Sequence, residues 1–256
     1  MKVLFVGATG VVGSQVVPIL KNQFDLSLAA FGSGHVAGLE VAHLDLTSWE
    51  STLGALQSAH FDAVVNCAIA DPRGVDWTDD AAIRAYYERC IDINARGSFH
   101  LFEAAATCGI ERCVYISSLT AVMGAPRYDF VPRDAPPRPR DLYSVSKLFG
   151  EQLGETYAHR EKNALQVACL RLGQPYPSFT DSDENWAQSA FLRAIMVHTD
   201  DVASAINGAL RSDRQFGVYS VVSQADSSWL DTSRCVEIGY RPAWNFSPQG
   251  LEKIAS

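Results

Sequence analysis

Lys2-Val3-Leu4-Phe5-Val6-Gly7-Ala8-Thr9-Gly10-Val11-Val12-Gly13 opens the chain with an apolar run, a glycine turn and a helical stretch reaching about Leu20. Five apolar-rich residues suit a strand of a parallel sheet, buried on both faces. Glycine at 7, 10 and 13 removes side chains where backbone must approach a pyrophosphate and where helix must pack on strand, and the helix N-terminus offers free N–H groups and a positive dipole. A plain glycine-rich turn does not explain three glycines at a spacing of three. Pro18, inside the helical pattern, costs a hydrogen bond and predicts a kink.

Outward from this unit, strand and helix alternate. Leu26 to Phe31 reads as the second strand, Leu39 to His43 as the third, a helix follows from about Ser48, and Ala63-Val64-Val65-Asn66-Cys67-Ala68 reads as the fourth strand. One long helix is expected over Asp80 to Gly109, a fifth strand over Arg112 to Ser117, a helix over Tyr143 to Arg160, a sixth strand over Gln166 to Leu172 and a helix over Asp200 to Leu210. The repeated βαβ order predicts an α/β Rossmann-type doubly wound parallel sheet. The 256 residues form one domain on this reading, residues 1–256, with a small substrate-binding portion from about 173–197 and 217–256.

Tyr143 and Lys147 stand four apart in Leu142-Tyr143-Ser144-Val145-Ser146-Lys147, so one helix face carries both. Lowering a phenol from near pH 10 to about 7 takes roughly 4 kcal/mol. An ammonium about 4.5 Å away at an effective dielectric near 20 supplies roughly 3 to 4 kcal/mol. An exposed amphipathic helix start is the ordinary alternative, and the glycine turn elsewhere in the chain weighs against it.

A formal charge of -8 offers no basic face for nucleic acid or an anionic membrane. Cys67, Cys90, Cys108, Cys113, Cys169 and Cys235 form no CxxC pair, which predicts buried free thiols in a reducing, cytoplasmic setting. The opening apolar run is broken by Gly7 and Gly10 and lacks a cleavage region, and no segment is long enough to span a bilayer.

The residues resemble the extended short-chain dehydrogenase/reductase superfamily, the NAD-dependent epimerase/dehydratase family. The matches are Gly7-x-x-Gly10-x-x-Gly13, Asp45-Leu46, Asn66-Cys67-Ala68, Asn94, Ser117-Ser118, Tyr143-x-x-x-Lys147 and His198-Thr199-Asp200-Asp201-Val202-Ala203, in the family's order. The Tyr143 to Glu151 segment and the overall length are most similar to the uronate-dehydrogenase-like branch. The resemblance implies NAD or NADP held by Gly7, Thr9, Gly10, Val11, Val12, Gly13, Asp45, Leu46, Cys67, Ala68 and Lys147. It also implies catalysis by Tyr143 as general acid/base, Lys147 tuning it, Ser118 on the substrate oxygen (Ser117 and Thr120 being alternates in register), and Asn94 holding water for a proton relay. Capping of the nearby helix is the other reading of Asp45, and a bent helix the other reading of Asn94.

Two departures bear on specificity. Ala29-Ala30-Phe31-Gly32-Ser33-Gly34-His35, at the end of the second strand, lacks both the acid that would bond ribose hydroxyls and an arginine for a 2′-phosphate, which leaves NAD and NADP level. Leu119-Thr120 stand where uronate dehydrogenases carry Asn-His, and Arg193 is displaced about two positions, which counts against uronate specificity. Arg127, Arg133, Arg138 and Arg140 crowd the loop before Tyr143 and suit an anionic small-molecule substrate; a solvated loop suits them equally. Trp77, Trp186 and Tyr176 are pocket candidates or plain packing. His198 is read as positioning a helix; no metal site is expected. The expected function is hydride transfer at a secondary alcohol or carbonyl of a sugar-like substrate, as dehydrogenase or epimerase, with a homodimer as the assembly. A simple carbonyl reductase and a non-catalytic dinucleotide sensor are the alternatives.

Overall fold

A computed structural model describes residues 1–124, 130–162, 164–177 and 186–254. In chain order the strands of the main sheet are β1 (Lys2–Val6), β2 (Asp25–Ala30), β3 (Gly34–Val36), β4 (Leu39–His43), β5 (Ala63–Asn66), β6 (Arg112–Ser118), β7 (Gln166–Leu172) and, after two short strands β8 (Gln174–Tyr176) and β9 (Met196–His198), β10 (Phe216–Val221). They lie in the order β10-β7-β6-β5-β1-β2-β4-β3. Every pairing is parallel except β3 with β4. The order reverses between β1 and β5, the switch point at which such sheets bind ligands beyond their strand C-termini. This is the expected doubly wound α/β sheet.

Helices α1 (Val11–Leu20), α2 (Trp49–Gln57), α3 (Asp80–Arg89), α4 (Gly97–Thr107), α5 (Leu142–Ala158), α6 (Ala190–Ile195) and α7 (Thr199–Arg211) complete the described elements with short 3₁₀ turns. The pleat sends alternate side chains to opposite layers. Val3 and Phe5 of β1 join Val16, Val17 and Leu20 of α1 and Val202, Ile206 and Leu210 of α7. Leu4 and Val6 join Leu56 of α2, Leu101 and Phe102 of α4 and Tyr157 of α5. One face of the sheet is therefore covered by α1 and α7, the other by α2, α4 and α5.

Three details differ from the sequence reading. The long helix over Asp80 to Gly109 is broken by a π-helical stretch, Cys90–Arg96, before α4 begins. A Cβ on Gly97 would lie 2.9 Å from Leu46 Cβ, so α4 starts in close contact with the segment after β4. β3 turns back on β4 as a two-strand ribbon that a three-residue run does not advertise. Phe216–Val221, placed on sequence almost wholly in the substrate portion, pairs with β7 inside the main sheet. The rest of the C-terminal part is a small sheet of β11 (Gln224–Ala225), β12 (Trp244–Ser247) and β13 (Gly250–Lys253).

Candidate active site

Gly7 follows β1 with φ of +86°, a backbone that L side chains rarely adopt, and a Cβ there would sit 2.6 Å from the Ala68 nitrogen and the Cys67 carbonyl carbon. Gly13 lets α1 press onto the turn, since a Cβ would collide with the Gly7 carbonyl oxygen and Ala8. Gly10 differs. Its nearest neighbour would be Gly7 oxygen at 3.3 Å, and it caps α1 with no side-chain hydrogen bond. Gly7 thus closes the turn against the end of β5 and Gly13 closes it against its own backbone, while Gly10 leaves room at the N-terminus of α1 beside the exposed Thr9 and part-buried Val11 and Val12. The first-turn amides of a helix hold an anion.

Behind the turn, Asn66 Oδ1 accepts from the Ala68 N–H at 3.2 Å and Asn66 Nδ2 donates to Ser98 at 3.3 Å, which fixes Cys67-Ala68 at the end of β5. Burial pushes the Cys67 thiol up to about 12. Asp45 lies after β4 and spends Oδ1 on the Thr47 N–H and hydroxyl, at 2.8 and 2.7 Å. Ser48, not Asp45, caps α2 by accepting from the Ser51 N–H. Leu46 is buried, and its carbonyl is 2.8 Å from His100 Nδ1. At the end of β2, Phe31 is 80% exposed and tilts against His43 at 5.5 Å, and the Gly32 N–H donates to His43 Nδ1.

Asp141 starts α5 by accepting from the Ser144 N–H at 2.7 Å and the Ser144 hydroxyl at 2.6 Å. The helix then lies close on β6 and β7, because a Cβ at Gly150 would overlap the Tyr115 ring and one at Gly154 would sit 2.9 Å from Val167 Cγ1. This fit buries Lys147 at 1% exposure with Nζ 4.7 Å above the Tyr115 ring and no hydrogen-bond partner among the described residues. Tyr143, one turn earlier, packs with Ala70, Tyr86 and Cys90 and faces the Ser118 hydroxyl.

The three hydroxyls after β6 now separate. Ser117 points away and donates to Glu151 Oε1 at 2.5 Å. Ser118 faces Tyr143 and accepts from the Thr120 N–H and hydroxyl at 3.2 and 2.9 Å. Thr120 is therefore a support for Ser118. Asn94, in the π-helical stretch and 1% exposed, accepts from the Ala70 N–H at 2.8 Å and donates to Ser146 Oγ at 3.0 Å, tying the loop after β5 to α5. That engagement uses both ends of its amide.

The expected lowering of the phenol is absent from this structure. Burial pushes Tyr143 up to about 12, with the Ser118 hydroxyl pulling the other way, and burial pulls Lys147 down to about 8, opposed by Cys67 and Glu151. Removing water penalises the charged form of each group, and here that outweighs the attraction the four-residue spacing suggested. Of the arginines, Arg193 is 6% exposed and bound by two hydrogen bonds of 2.7 and 2.8 Å to Asp226, with a third at 2.6 Å to the Ala187 carbonyl. Arg133 lies 3.5 Å from Asp134. Arg138 and Arg140 are exposed, without an ion pair among the described residues, and Arg127 lies outside those residues. Trp186 and Tyr176 pack around Phe246, whereas Trp77 is 53% exposed and edge-on to Tyr86. His198 caps α7, accepting from the Asp200 N–H at 3.1 Å, and stacks on Trp244 at 4.1 Å. Among the described residues no cluster could hold a metal ion. The sequence reading missed the buried Glu151–Arg171 pair, although Glu151 at four residues past Lys147 was a signal for it.

Residues 3–221 match the family model described as the NAD dependent epimerase/dehydratase family. The chain belongs to that family. It is 28% identical over 262 residues to an L-arabinose 1-dehydrogenase (NAD(P)(+)) of Haloferax volcanii, covering 95% of this chain and 97% of the relative. It is 30% identical over 183 residues to a uronate dehydrogenase of Agrobacterium fabrum, covering 71% of this chain and 65% of that protein. The crystal structure of a uronate dehydrogenase from Agrobacterium tumefaciens superimposes with a TM-score of 0.76 at 25% identity, covering 95% of this chain and 85% of the other. This family member is an oxidoreductase of the extended short-chain type that uses NAD or NADP. The N-terminus of α1, capped by no side chain, the clearance at Gly10 and the Lys147 Nζ, unpartnered among the described residues, fit such a dinucleotide. Among the described residues no helix is long and apolar enough to cross a membrane.

Proposed function

We propose that this enzyme is a sugar dehydrogenase that oxidises a ring hydroxyl of a sugar or sugar acid, with Tyr143 as the proton acceptor. The observation that carries the reading is the approach of Tyr143, one turn before Lys147 on α5, to Ser118 at the end of β6. The named activities of the arabinose and uronate dehydrogenases support the substrate class. When bound, the cofactor would supply a nicotinamide ring as acceptor for the hydride of the carbinol carbon. Tyr143 Oη, once it has lost its own proton to solvent, would receive the hydroxyl proton as the phenolate, so C–H and O–H bonds break as C=O forms. Ser118, steadied by Thr120, donates to the substrate oxygen and holds it beside Tyr143. Lys147 offers its ammonium to the ribose and to the charge that develops on Tyr143. Gly7, Thr9, Gly10, Val11, Val12 and Gly13 would seat the pyrophosphate, Asp45 and Leu46 the adenine, and Cys67-Ala68 the chain between. Asn94 holds the walls together through Ala70 and Ser146.

An anionic substrate would meet Arg138 or Arg140, which precede α5, because Arg193 is already neutralised by Asp226. The experiment is a panel of pentoses, hexoses, uronates and simple apolar ketones with NAD and NADP, followed by absorbance of the reduced nicotinamide. Turnover on sugars well above that on the ketones is expected. Preference for the ketones would replace this reading with a carbonyl reductase, and cofactor binding without turnover on any of them would favour the sensor.

A further inference from the structure

Tyr143, Lys147 and Glu151 follow one another at four-residue steps along α5, so all three lie on the face turned to the sheet. Glu151 is 1% exposed. Its carboxylate receives both arms of Arg171 from β7, at 2.8 and 2.7 Å, and the hydroxyl of Ser117 from β6 at 2.5 Å. One turn away, the Lys147 ammonium is as deeply buried, makes no hydrogen bond among the described residues and rests over Tyr115 of β6. The other titratable groups acting on it are thiols, Cys67 after β5, Cys169 on β7 and Cys90 in the π-helical stretch. Burial raises all three, so they are neutral at physiological pH. Glu151 is the carboxylate among the groups facing Lys147. Its Ser117 anchor also adjoins Ser118, the hydroxyl facing Tyr143.

We propose that Glu151 is a positioning residue for the Tyr143–Lys147 pair: braced by Arg171 and Ser117, its buried carboxylate is the counter-charge that keeps Lys147 protonated. The inference rests on the catalytic reading of Lys147 given above, and explains why a lysine with no partner is tolerated in the core. A buried ammonium without a nearby anion releases its proton. The Arg171 brace matters in the opposite sense, since it moderates the field that Glu151 exerts.

The test is a titration of the chain labelled with ¹³C at the lysine ε-carbons, Lys147 being picked out from Lys2, Lys21, Lys162 and Lys253 by its loss in Lys147→Met. Glu151→Gln, which keeps the size and the acceptor for Ser117, is expected to lower the Lys147 midpoint by about one unit or more. The alkaline limb of the kcat profile should move to lower pH by the same amount, with Kd for NAD changed less than about three-fold. Arg171→Met should move the midpoint the other way, which keeps the proposal testable where Glu151→Gln fails to fold. Glu151→Asp should stay near wild type. A Lys147 midpoint unmoved by either Glu151→Gln or Arg171→Met would leave Glu151 a structural clamp and overturn the proposal. The midpoint is read without turnover, so a wild type inactive on sugars would sink the proposed function and not this result.

Discussion

The turn from β1 into α1 and the cluster around Phe246 do comparable structural work by opposite means. The turn is made by backbone, with Gly7 and Gly13 where no side chain fits and Gly10 where none is needed for packing. The Phe246 cluster is made by side chains, with Trp186 and Tyr176 edge-on to Phe246 at 5.0 and 5.5 Å and Met196 beneath. The first, which we propose seats the cofactor, hardly depends on which side chains surround it. The second tethers β12, β8 and β9 and depends on each ring. A function shared by a family is thus held in main-chain geometry, and specificity in packing that can be exchanged.

If that division holds, damage to one region spares the other. The largest effect is expected of Phe246→Ala, which empties a fully buried aromatic site and should cost about 3 to 5 kcal/mol in chemical denaturation. Affinity for NAD should stay within about three-fold by calorimetry in the fraction that remains folded. Parallel loss of both would erase the distinction.

Gly13→Val and Gly10→Val sharpen it within the turn. Gly13→Val forces backbone apart and should cost about 1 to 3 kcal/mol in stability as well as cofactor binding. Gly10→Val should leave the unfolding midpoint nearly unchanged and still abolish binding, because its side chain points where a pyrophosphate would lie. Equal stability losses in the two variants would contradict this division of labour.

The smallest effect concerns His198, whose ring nitrogen caps α7. Burial holds its pKa below the ordinary value. The neutral ring is the form favoured in the folded chain, so its stabilisation is complete above pH of about 6.5 and is lost as pH falls through that value toward the lowered one. Thermal unfolding across that window should show stability falling as pH falls in wild type, and a flatter profile in His198→Asn, which keeps a cap without a titrating group. An identical slope in both would remove His198 from the account.

What the sequence made legible follows the same division. The strand runs Lys2–Val6, Leu39–His43 and Gln166–Leu172, the glycine spacing and the Tyr143–Lys147 step are local patterns, and the structure reproduces them as elements. The π-helical break at Cys90–Arg96 and the short strands from β8 onward depend on partners distant in sequence, and no local period marks them. Register after β6 was open among Ser117, Ser118 and Thr120 because only the pleat, which turns Ser117 toward Glu151, decides it. Arg193 is held by an acidic partner, Asp226, that stands 33 residues away and that no local pattern announces. The charge relation of Tyr143 and Lys147 was misjudged because spacing reports proximity and not desolvation.

The central claim is that the hydroxyl of Tyr143 moves the proton while the glycine turn holds the cofactor. Tyr143→Phe keeps the ring, and with it the packing against Ala70, Tyr86 and Cys90, and removes only that hydroxyl. Measured on the best substrate of the sugar panel, kcat should fall by about 10² to 10⁴-fold while Kd for NAD stays within a few-fold. Turnover near the wild-type rate would contradict the account.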